Sequence, residues 1–205
     1  MRGASVPTPP RGEWRRIGVF GGTFDPPHVG HLVTAVNVRH ALELDVVLLV
    51  VANDPWQKSG ARQVSPAADR LALVEAAVGV VDGLEASAVE LERGGTSYTA
   101  DTVSELRRAH PDVELALILG SDAAAGLPTW ERVDEVRQAA RIVVVTRPGA
   151  EAGVPPPGWE WEPVETPRLD VSSTDLRARV AGGRPLDYLV TPQVIACIEE
   201  RGLYA

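Results

Sequence analysis

The sequence predicts an α/β fold in which a doubly wound parallel sheet carries a small helical part towards the C-terminus. Short apolar, β-branched runs at 17–20, 46–52, 115–119 and 142–146 alternate with segments whose apolar residues recur at helical spacing. The third run has no polar alternation, which is typical of a strand buried on both faces of a parallel sheet. Because strand, helix, strand units form right-handed parallel crossovers, we expect the strand ends to share one edge.

Length and composition limit the class of protein. The chain has 205 residues, of which 44% are hydrophobic and 23% charged, enough for one domain with a substantial core. A net charge of −8 disfavours a nucleic-acid partner but leaves a small nucleotide open. The sequence contains no signal segment and no apolar run near the ~20 residues that span a bilayer. With a single cysteine, Cys197, we expect a cytoplasmic protein without a membrane partner.

Two segments are predicted to lie outside the packed body. Residues 1–14 contain three prolines and no regular apolar pattern, so we expect a flexible extension before a single domain over 15–205. Residues 148–163 are rich in Gly and Pro and are predicted to form a surface excursion. We expect Trp159 and Trp161 to anchor that excursion to the body.

The first predicted strand ends in a glycine turn that is followed by two histidines. Gly21 and Gly22 carry no side chain, so an anionic ligand can approach the main chain there. His28 and His31 are three residues apart at the start of a helical pattern, so both can donate hydrogen bonds to one phosphate. An ordinary turn and a surface histidine would explain either feature alone, but the combination favours phosphate binding. A zinc site is weak, because two histidines need a further ligand.

The middle of the chain predicts three further elements. Ser65 and Pro66 predict a helix with a hydroxyl cap, and the apolar stripe that follows leaves Arg70 off the buried face and solvated. Residues 89–92 alternate apolar and acidic side chains, which predicts a strand. Hydroxyl side chains at 96–102 precede a helix that runs to about residue 110, and helix capping alone would explain them.

Polar residues follow the ends of several predicted strands. Lys58 and Arg147 are placed to reach a phosphate at the carboxyl edge, although a solvated side chain explains each equally well. Asp122 can accept hydrogen bonds from a ribose or cap the next helix. Trp130 can stack on an aromatic ligand, although an isolated tryptophan is more often part of the core.

The start of a later helix is a second candidate anion site. Ser172 and Asp175 form a capping-box pattern, and that pattern alone explains the segment equally well. In the functional interpretation, the amides of this helix start bind phosphates together with Ser173, Thr174 and Arg177. Thr191 and Pro192 then predict a final helix that ends at Gly202.

These motifs together resemble a known enzyme family. Residues 21–31, GGTFDPPHVGH, resemble the nucleotidylyltransferase signature. The segments SYTADT at 97–102, GSD at 120–122 with Trp130, and VSSTDLR at 171–177 resemble motifs of the bacterial nicotinate mononucleotide adenylyltransferases, and the likeness spans roughly 16–205. It implies a Rossmann-like fold and adenylyl transfer from ATP to nicotinate mononucleotide, with Mg²⁺ bound mainly through the ATP phosphates. The chain departs from the family's Pro-Pro-His-Lys loop at Trp56 and Gln57.

The resemblance also implies three groups of site residues and no metal site in the protein itself. Catalytic roles are expected for His28, His31, Lys58 and Arg177. Contacts with ATP and its phosphates are expected for Gly21, Gly22, Thr23, Phe24, Arg147, Ser173 and Thr174. Contacts with the pyridine nucleotide are expected for Tyr98, Thr99, Gly120, Asp122 and Trp130.

Other functions stay open at this point. The acceptor could instead be nicotinamide mononucleotide, phosphopantetheine or, with CTP, the phosphate of a polar alcohol. A nucleotide-sensing module without catalysis is the alternative from a different class. A homo-oligomer is also left open, because the sequence does not give the oligomeric state.

Overall fold

A six-stranded parallel sheet forms the centre of the fold. The computed structural model describes Thr8, Pro10 and residues 12–55, 64–146 and 153–205. The strands are β1 (Arg16–Gly22), β2 (Val46–Val51), β3 (Leu84–Ser87), β4 (Glu114–Gly120), β5 (Arg141–Thr146) and β6 (Trp161–Glu165). Their order across the sheet is β3-β2-β1-β4-β5-β6 and every neighbouring pair is parallel, which confirms the predicted doubly wound α/β fold.

Helices connect the strands and cover both faces of the sheet. They are α1 (Val29–Ala41), α2 (Ala67–Val78), α3 (Val89–Arg93), α4 (Thr99–Ala109), α5 (Ser121–Ala125), α6 (Val133–Ala139), α7 (Ser173–Ala181) and α8 (Pro192–Arg201). A 3₁₀ turn at Leu127–Thr129 joins α5 to α6. The final helix follows the prediction, since the Thr191 hydroxyl accepts a hydrogen bond from the Val194 amide and Gly202 ends α8 in the left-handed region.

The core consists of one apolar cluster on each face of the sheet and a third cluster under the C-terminal helices. The strand β2 is buried along its whole length, as its unbroken apolar sequence predicts. In the third cluster, Leu176 of α7 and Val194 of α8 pack with Leu73 and Ala77 of α2. This packing brings the start of α7 close to the carboxyl edge of the sheet.

Three local predictions in the middle of the chain are wrong. Residues 89–92 lie in the short helix α3, and the strand of this region is β3 at 84–87. Ser65 does not cap α2, whose N-cap residue is Pro66. Arg70 is not solvated, because its side chain is 1% exposed and donates hydrogen bonds to three main-chain carbonyls.

The segments 1–14 and 148–163, which were predicted to lie outside the body, each have described residues at their C-terminal end that belong to it. Trp14 is buried and its ring contacts that of His110, so it belongs to the core. Strand β6 begins at Trp161, so the last three residues of the predicted excursion pair with β5. Trp159 and Trp161 pack against the core, as predicted. Within the described ranges, no helix has the length and apolar character that crossing a membrane requires.

Candidate functional site

Two adjoining cavities open at the carboxyl edge of the sheet, beside β1 and β4. The first, the Trp130 cavity, has a volume of about 280 Å³, and the second, the histidine cavity, about 740 Å³. Their walls have five residues in common, namely Phe20, Gly22, Thr23, Gly120 and Ala123. Two ligands bound here would therefore meet at residues 21–23, called the glycine turn below. Gly21 and Gly22 are the last two residues of β1, which runs two residues beyond the predicted strand, and Thr23 follows it.

The predicted site residues divide between these cavities. The Trp130 cavity is lined, among others, by Gly21, Gly22, Thr23, Tyr98, Thr99, Gly120 and Trp130. The histidine cavity is lined, among others, by Gly22, Thr23, Phe24, His28, His31, Gly120, Asp122, Ser173 and Thr174. Asp122 lines the histidine cavity and not the Trp130 cavity, whose residues Thr99 and Trp130 the resemblance grouped with it.

The two histidines form a stacked pair at the start of α1. Their ring centroids are 3.7 Å apart with an interplanar angle of 24°. The His28 main-chain N–H donates to His31 Nδ1 at 3.1 Å, so Nδ1 acts as an acceptor and Nε2 carries the proton of the neutral ring. Phe24 contacts the His31 ring edge-on at 5.0 Å between centroids. These contacts fix the ring and leave Nε2 as its hydrogen-bond donor.

Helix α7 is tied to the segment between the glycine turn and the histidines. The Ser173 hydroxyl donates to the Pro26 carbonyl at 2.8 Å, and Arg177 Nη1 donates to the Asp25 carbonyl at 2.7 Å. The Ser172 hydroxyl accepts from the Asp175 amide at 3.1 Å, which confirms the predicted side-chain cap. The start of α7 and the glycine turn both line the histidine cavity, an arrangement suited to polyphosphate.

Buried polar groups lie in the wall of the Trp130 cavity. The Thr102 hydroxyl donates to Glu90 Oε1 at 2.6 Å and accepts from Arg93 Nη2 at 3.1 Å. Glu90 Oε2 and Trp130 Nε1 are buried and have no hydrogen-bond partner among the described residues. No side chain caps the described helix α4, so capping does not explain the hydroxyls that precede it.

Sequence reasoning missed a polar cluster next to the glycine turn, formed by the buried Asp25 and Arg70 and the half-buried Tyr204. The Tyr204 hydroxyl donates to Asp25 Oδ1 at 2.7 Å. Burial raises the pKa of the Tyr204 phenol, and the hydrogen bond to Asp25 adds to that effect. Burial lowers the pKa of the Arg70 guanidinium, while the nearby Asp25 carboxylate acts in the opposite direction. The Gly-Leu-Tyr ending, which the resemblance includes, was the only sequence signal for Tyr204.

The remaining predicted residues are placed less directly. Arg177 lines neither cavity, and its Nη2 donates to the Thr174 hydroxyl at 3.1 Å. Lys58 and Arg147 lie outside the described residues, as do Trp56 and Gln57. Their predicted roles therefore stay predictions.

The parallel sheet, the paired cavities at its carboxyl edge and the two amide-rich turns define a nucleotide-binding α/β protein. Residues 19–179 match the cytidylyltransferase-like family, and the chain belongs to that family.

Relatives with high coverage confirm the resemblance drawn from the motifs. A protein from Saccharopolyspora erythraea named "Probable nicotinate-nucleotide adenylyltransferase" is 44% identical over 191 residues, which cover 93% of this chain and 90% of that protein. A protein of the same name from Streptomyces coelicolor is 44% identical over 188 residues, which cover 90% and 98%.

Solved structures of low sequence identity share the fold. The Plasmodium falciparum nicotinic acid mononucleotide adenylyltransferase complexed with NaAD has a TM-score of 0.73 at 16% identity, covering 93% of this chain and 97% of that chain. The same enzyme complexed with APC has a TM-score of 0.69 at 14% identity. At these identities the likeness shows the Rossmann-like fold alone.

Proposed function

We propose that this protein transfers the adenylyl group of ATP to nicotinate mononucleotide, giving nicotinate adenine dinucleotide and pyrophosphate in NAD biosynthesis. The adjoining cavities carry the proposal, because a transfer between two nucleotides needs both held side by side at the reacting phosphate. Support comes from relatives named as this enzyme at 44% identity over most of the chain. The complex of a fold neighbour with NaAD is consistent with the same products.

The two nucleotides are assigned by the chemistry of the walls. Nicotinate mononucleotide is placed in the Trp130 cavity, where the indole offers a face for the pyridine ring and Tyr98 and Thr99 lie beside it. ATP is placed in the histidine cavity, with its phosphates between the glycine turn and the start of α7. The shared residues Gly22 and Thr23 then lie next to the α-phosphate.

The reaction needs no covalent intermediate with the protein. An oxygen of the acceptor's 5′-phosphate attacks the α-phosphorus of ATP, and the bond from that phosphorus to the bridging oxygen breaks to release pyrophosphate. His31 Nε2, His28 and the glycine amides donate hydrogen bonds to the transferring phosphate as charge develops on it. Ser173, Thr174, Arg177, Lys58 and Arg147 are proposed to bind the departing phosphates.

The proposal includes Mg²⁺ carried mainly by the ATP phosphates. The described residues contain no group of three or more His, Cys, Asp or Glu side chains that could hold a metal ion. Of the two carboxylates that line the histidine cavity, that of Asp25 is buried and bonded to Tyr204, while Asp122 is exposed. This set fits an ion carried by the nucleotide: Asp122 would be the carboxylate facing it, and Mg²⁺ bound in this way would neutralise phosphate charge.

A pyrophosphate-release assay with ATP tests the function. Nicotinate and nicotinamide mononucleotides are compared side by side, with phosphopantetheine as a third acceptor and CTP as a second donor. We expect the highest kcat/KM for nicotinate mononucleotide with ATP. Equal rates for both pyridine nucleotides would contradict the nicotinate preference, and nucleotide binding without turnover would favour the sensing module. A cytoplasmic location, where these soluble substrates occur, is part of the same proposal, and cell fractionation tests it.

A further inference from the structure

The polar cluster of Asp25, Arg70 and Tyr204 forms more hydrogen bonds to separate segments of the chain than packing alone would require. Asp25 and Arg70 are each 1% exposed. Arg70 and Tyr204 line neither cavity, and their side chains are hydrogen-bonded to groups beside the glycine turn instead. Their effect on the reaction is therefore expected to pass through the residues that they hold.

Arg70 joins three separate segments of the chain. Its Nη1 donates to the Thr23 carbonyl at 2.9 Å, its Nη2 to the Asn53 carbonyl at 3.1 Å and its Nε to the Ser65 carbonyl at 2.8 Å. Thr23 belongs to the glycine turn that both cavities share, Asn53 follows β2, and Ser65 precedes α2. The guanidinium donates from three separate nitrogens held in one plane, so it reaches three carbonyls that lie apart, whereas the three N–H donors of a lysine ammonium all start from a single nitrogen.

Asp25 and Tyr204 complete the support from the other side. Asp25 Oδ1 accepts from the Tyr204 hydroxyl at 2.7 Å, and Oδ2 accepts from the Ser65 main-chain N–H at 3.4 Å. A buried carboxylate is costly unless it is paired and hydrogen-bonded, so each of these donors contributes to keeping Asp25 in place. The main chain on either side of Phe24 is thus held by Arg70 at Thr23 and through the Asp25 side chain.

We propose that Arg70 and Tyr204 are positioning residues for phosphate transfer, acting on the glycine turn through Thr23 and Asp25. The inference rests on the proposed function. The turn lies directly before the two stacked histidines, so a shift of its main chain moves both the amides and the rings that face the transferring phosphate. Transfer rates are sensitive to misplacement of reacting groups by about 1 Å, which makes such remote support measurable.

The sharper of two tests is Tyr204→Phe, which removes one hydroxyl and little volume. The matched control is Tyr188→Phe, because the Tyr188 side chain is 94% exposed. In variants confirmed as folded, we expect kcat to fall about tenfold for Tyr204→Phe with little change in KM for the acceptor. Tyr188→Phe should behave like the wild type.

The second test is Arg70→Lys, with Arg39→Lys as its control. Arg39 is also a buried arginine, but it donates to the Asp45 carbonyl before β2, at the opposite edge of the sheet from the cavities. Both variants should lose thermal stability, while only Arg70→Lys should lose turnover. An equal loss of kcat in Arg39→Lys would overturn the inference, because general destabilisation would then explain both.

Binding of ATP, measured by calorimetry on the same four variants, separates this inference from the proposed function. We expect the dissociation constant to rise about fivefold for Tyr204→Phe and Arg70→Lys and to stay unchanged in the controls. If wild-type protein transfers adenylyl groups but these two variants equal it, the inference fails and the function stands. If the wild type transfers no adenylyl group, the proposed function fails. The inference then depends on ATP binding, and equal ATP affinity in the wild type and all four variants would overturn it too.

Discussion

At the scale of single residues, the tautomer of His31 is the most consequential detail of the site. Because Nδ1 accepts a hydrogen bond from the His28 amide, the neutral ring carries its proton on Nε2, which in the proposed mechanism donates to the phosphate. We expect His31→Ala to lower kcat with nicotinate mononucleotide and ATP on the order of a hundredfold. Pyrophosphate release measures this loss.

The control for His31→Ala lies on the same helix. His40 is exposed in the last turn of α1, so His40→Ala should leave turnover within a few-fold of the wild type. A His31→Ala variant with near wild-type kcat would remove that ring from the proposed mechanism.

The second residue-scale prediction concerns Trp130. Its side chain lines the smaller cavity, where the proposed function stacks it on the pyridine ring. Trp130→Ala should raise KM for the pyridine mononucleotide roughly tenfold, the equivalent of about 1.4 kcal/mol of stacking, and change KM for ATP little. Initial rates with each substrate varied in turn measure both constants.

Trp159→Ala is the matched comparison, because Trp159 packs against the core, lies over the Arg137 guanidinium and lines neither cavity. It should alter stability without selective loss of acceptor affinity. A Trp130→Ala variant with weakened ATP and unchanged acceptor binding would show that the two nucleotides are assigned to the wrong cavities.

Sequence reasoning predicted the residues that line the cavities better than the residues that support them, such as Arg70 and Tyr204. Glycines, histidines and hydroxyls next to strand ends have a local chemical meaning, and the structure brings most of those it describes to one edge. Arg70 was predicted to be solvated because it lies off the apolar stripe of its helix, and the stripe identifies only the face that packs on the sheet. Its burial depends on three carbonyls from distant segments, which no local pattern encodes.

At the scale of elements, β1 ends in two adjacent glycines with unequal surroundings. A Cβ atom at Gly22 would lie 2.8–3.0 Å from three atoms of the buried Phe24 ring, whereas one at Gly21 would meet nothing within 4 Å. We expect Gly22→Ala to lower the free energy of unfolding by about 1–3 kcal/mol, because Phe24 and with it the edge contact to His31 must shift.

Gly21→Ala serves as the comparison in the same urea titration. It should leave the free energy of unfolding within about 0.5 kcal/mol of the wild type, since the added methyl group has room. Equal losses in the two variants would show that backbone freedom, and not contact with Phe24, makes both positions glycine.

Element type was predicted well for long patterns and poorly for short ones. The helix α1 and the strands β2, β4 and β5 have patterns of at least five residues, and all of them are confirmed. Four alternating residues at 89–92 fit a strand equally well, but the five-residue helix α3 forms there and buries Glu90 against Thr102 of α4. That contact is tertiary, so the segment's own sequence does not reveal it.

At the scale of the whole molecule, the sheet order explains why the site could be predicted at all. Strands β1 and β4 are neighbours at the centre of the sheet, so the segments that follow them meet although they are about a hundred residues apart in sequence. The alternation of strands and helices predicts this edge. It does not predict that β6 adds a sixth strand from the Gly- and Pro-rich region, because the strand's own sequence contains a proline and two glutamates.

The pH dependence of stability is a prediction for the whole fold. Burial and the Asp25 contact raise the pKa of Tyr204 above its ordinary value of about 10, so above that pH the unfolded chain releases a proton that the folded chain keeps. The free energy of unfolding should therefore fall as pH rises beyond about 10, by at most about 1.4 kcal/mol per pH unit for this group.

Urea titrations of the wild type and Tyr204→Phe between pH 8 and 11 measure this effect. The variant should be less stable at pH 8, because Asp25 loses a donor, and the difference should shrink at alkaline pH. Tyr188→Phe should follow the wild type throughout. A constant difference across the whole range would contradict the assignment of the alkaline loss to Tyr204.

The wall that the two cavities share also has a kinetic consequence. Gly22, Thr23 and Gly120 line both cavities, so in the proposed function the joined product lies along this shared wall with one half in each cavity. Such a product must leave both halves before either substrate can return. Inhibition by the dinucleotide should therefore be competitive against ATP and against the mononucleotide alike.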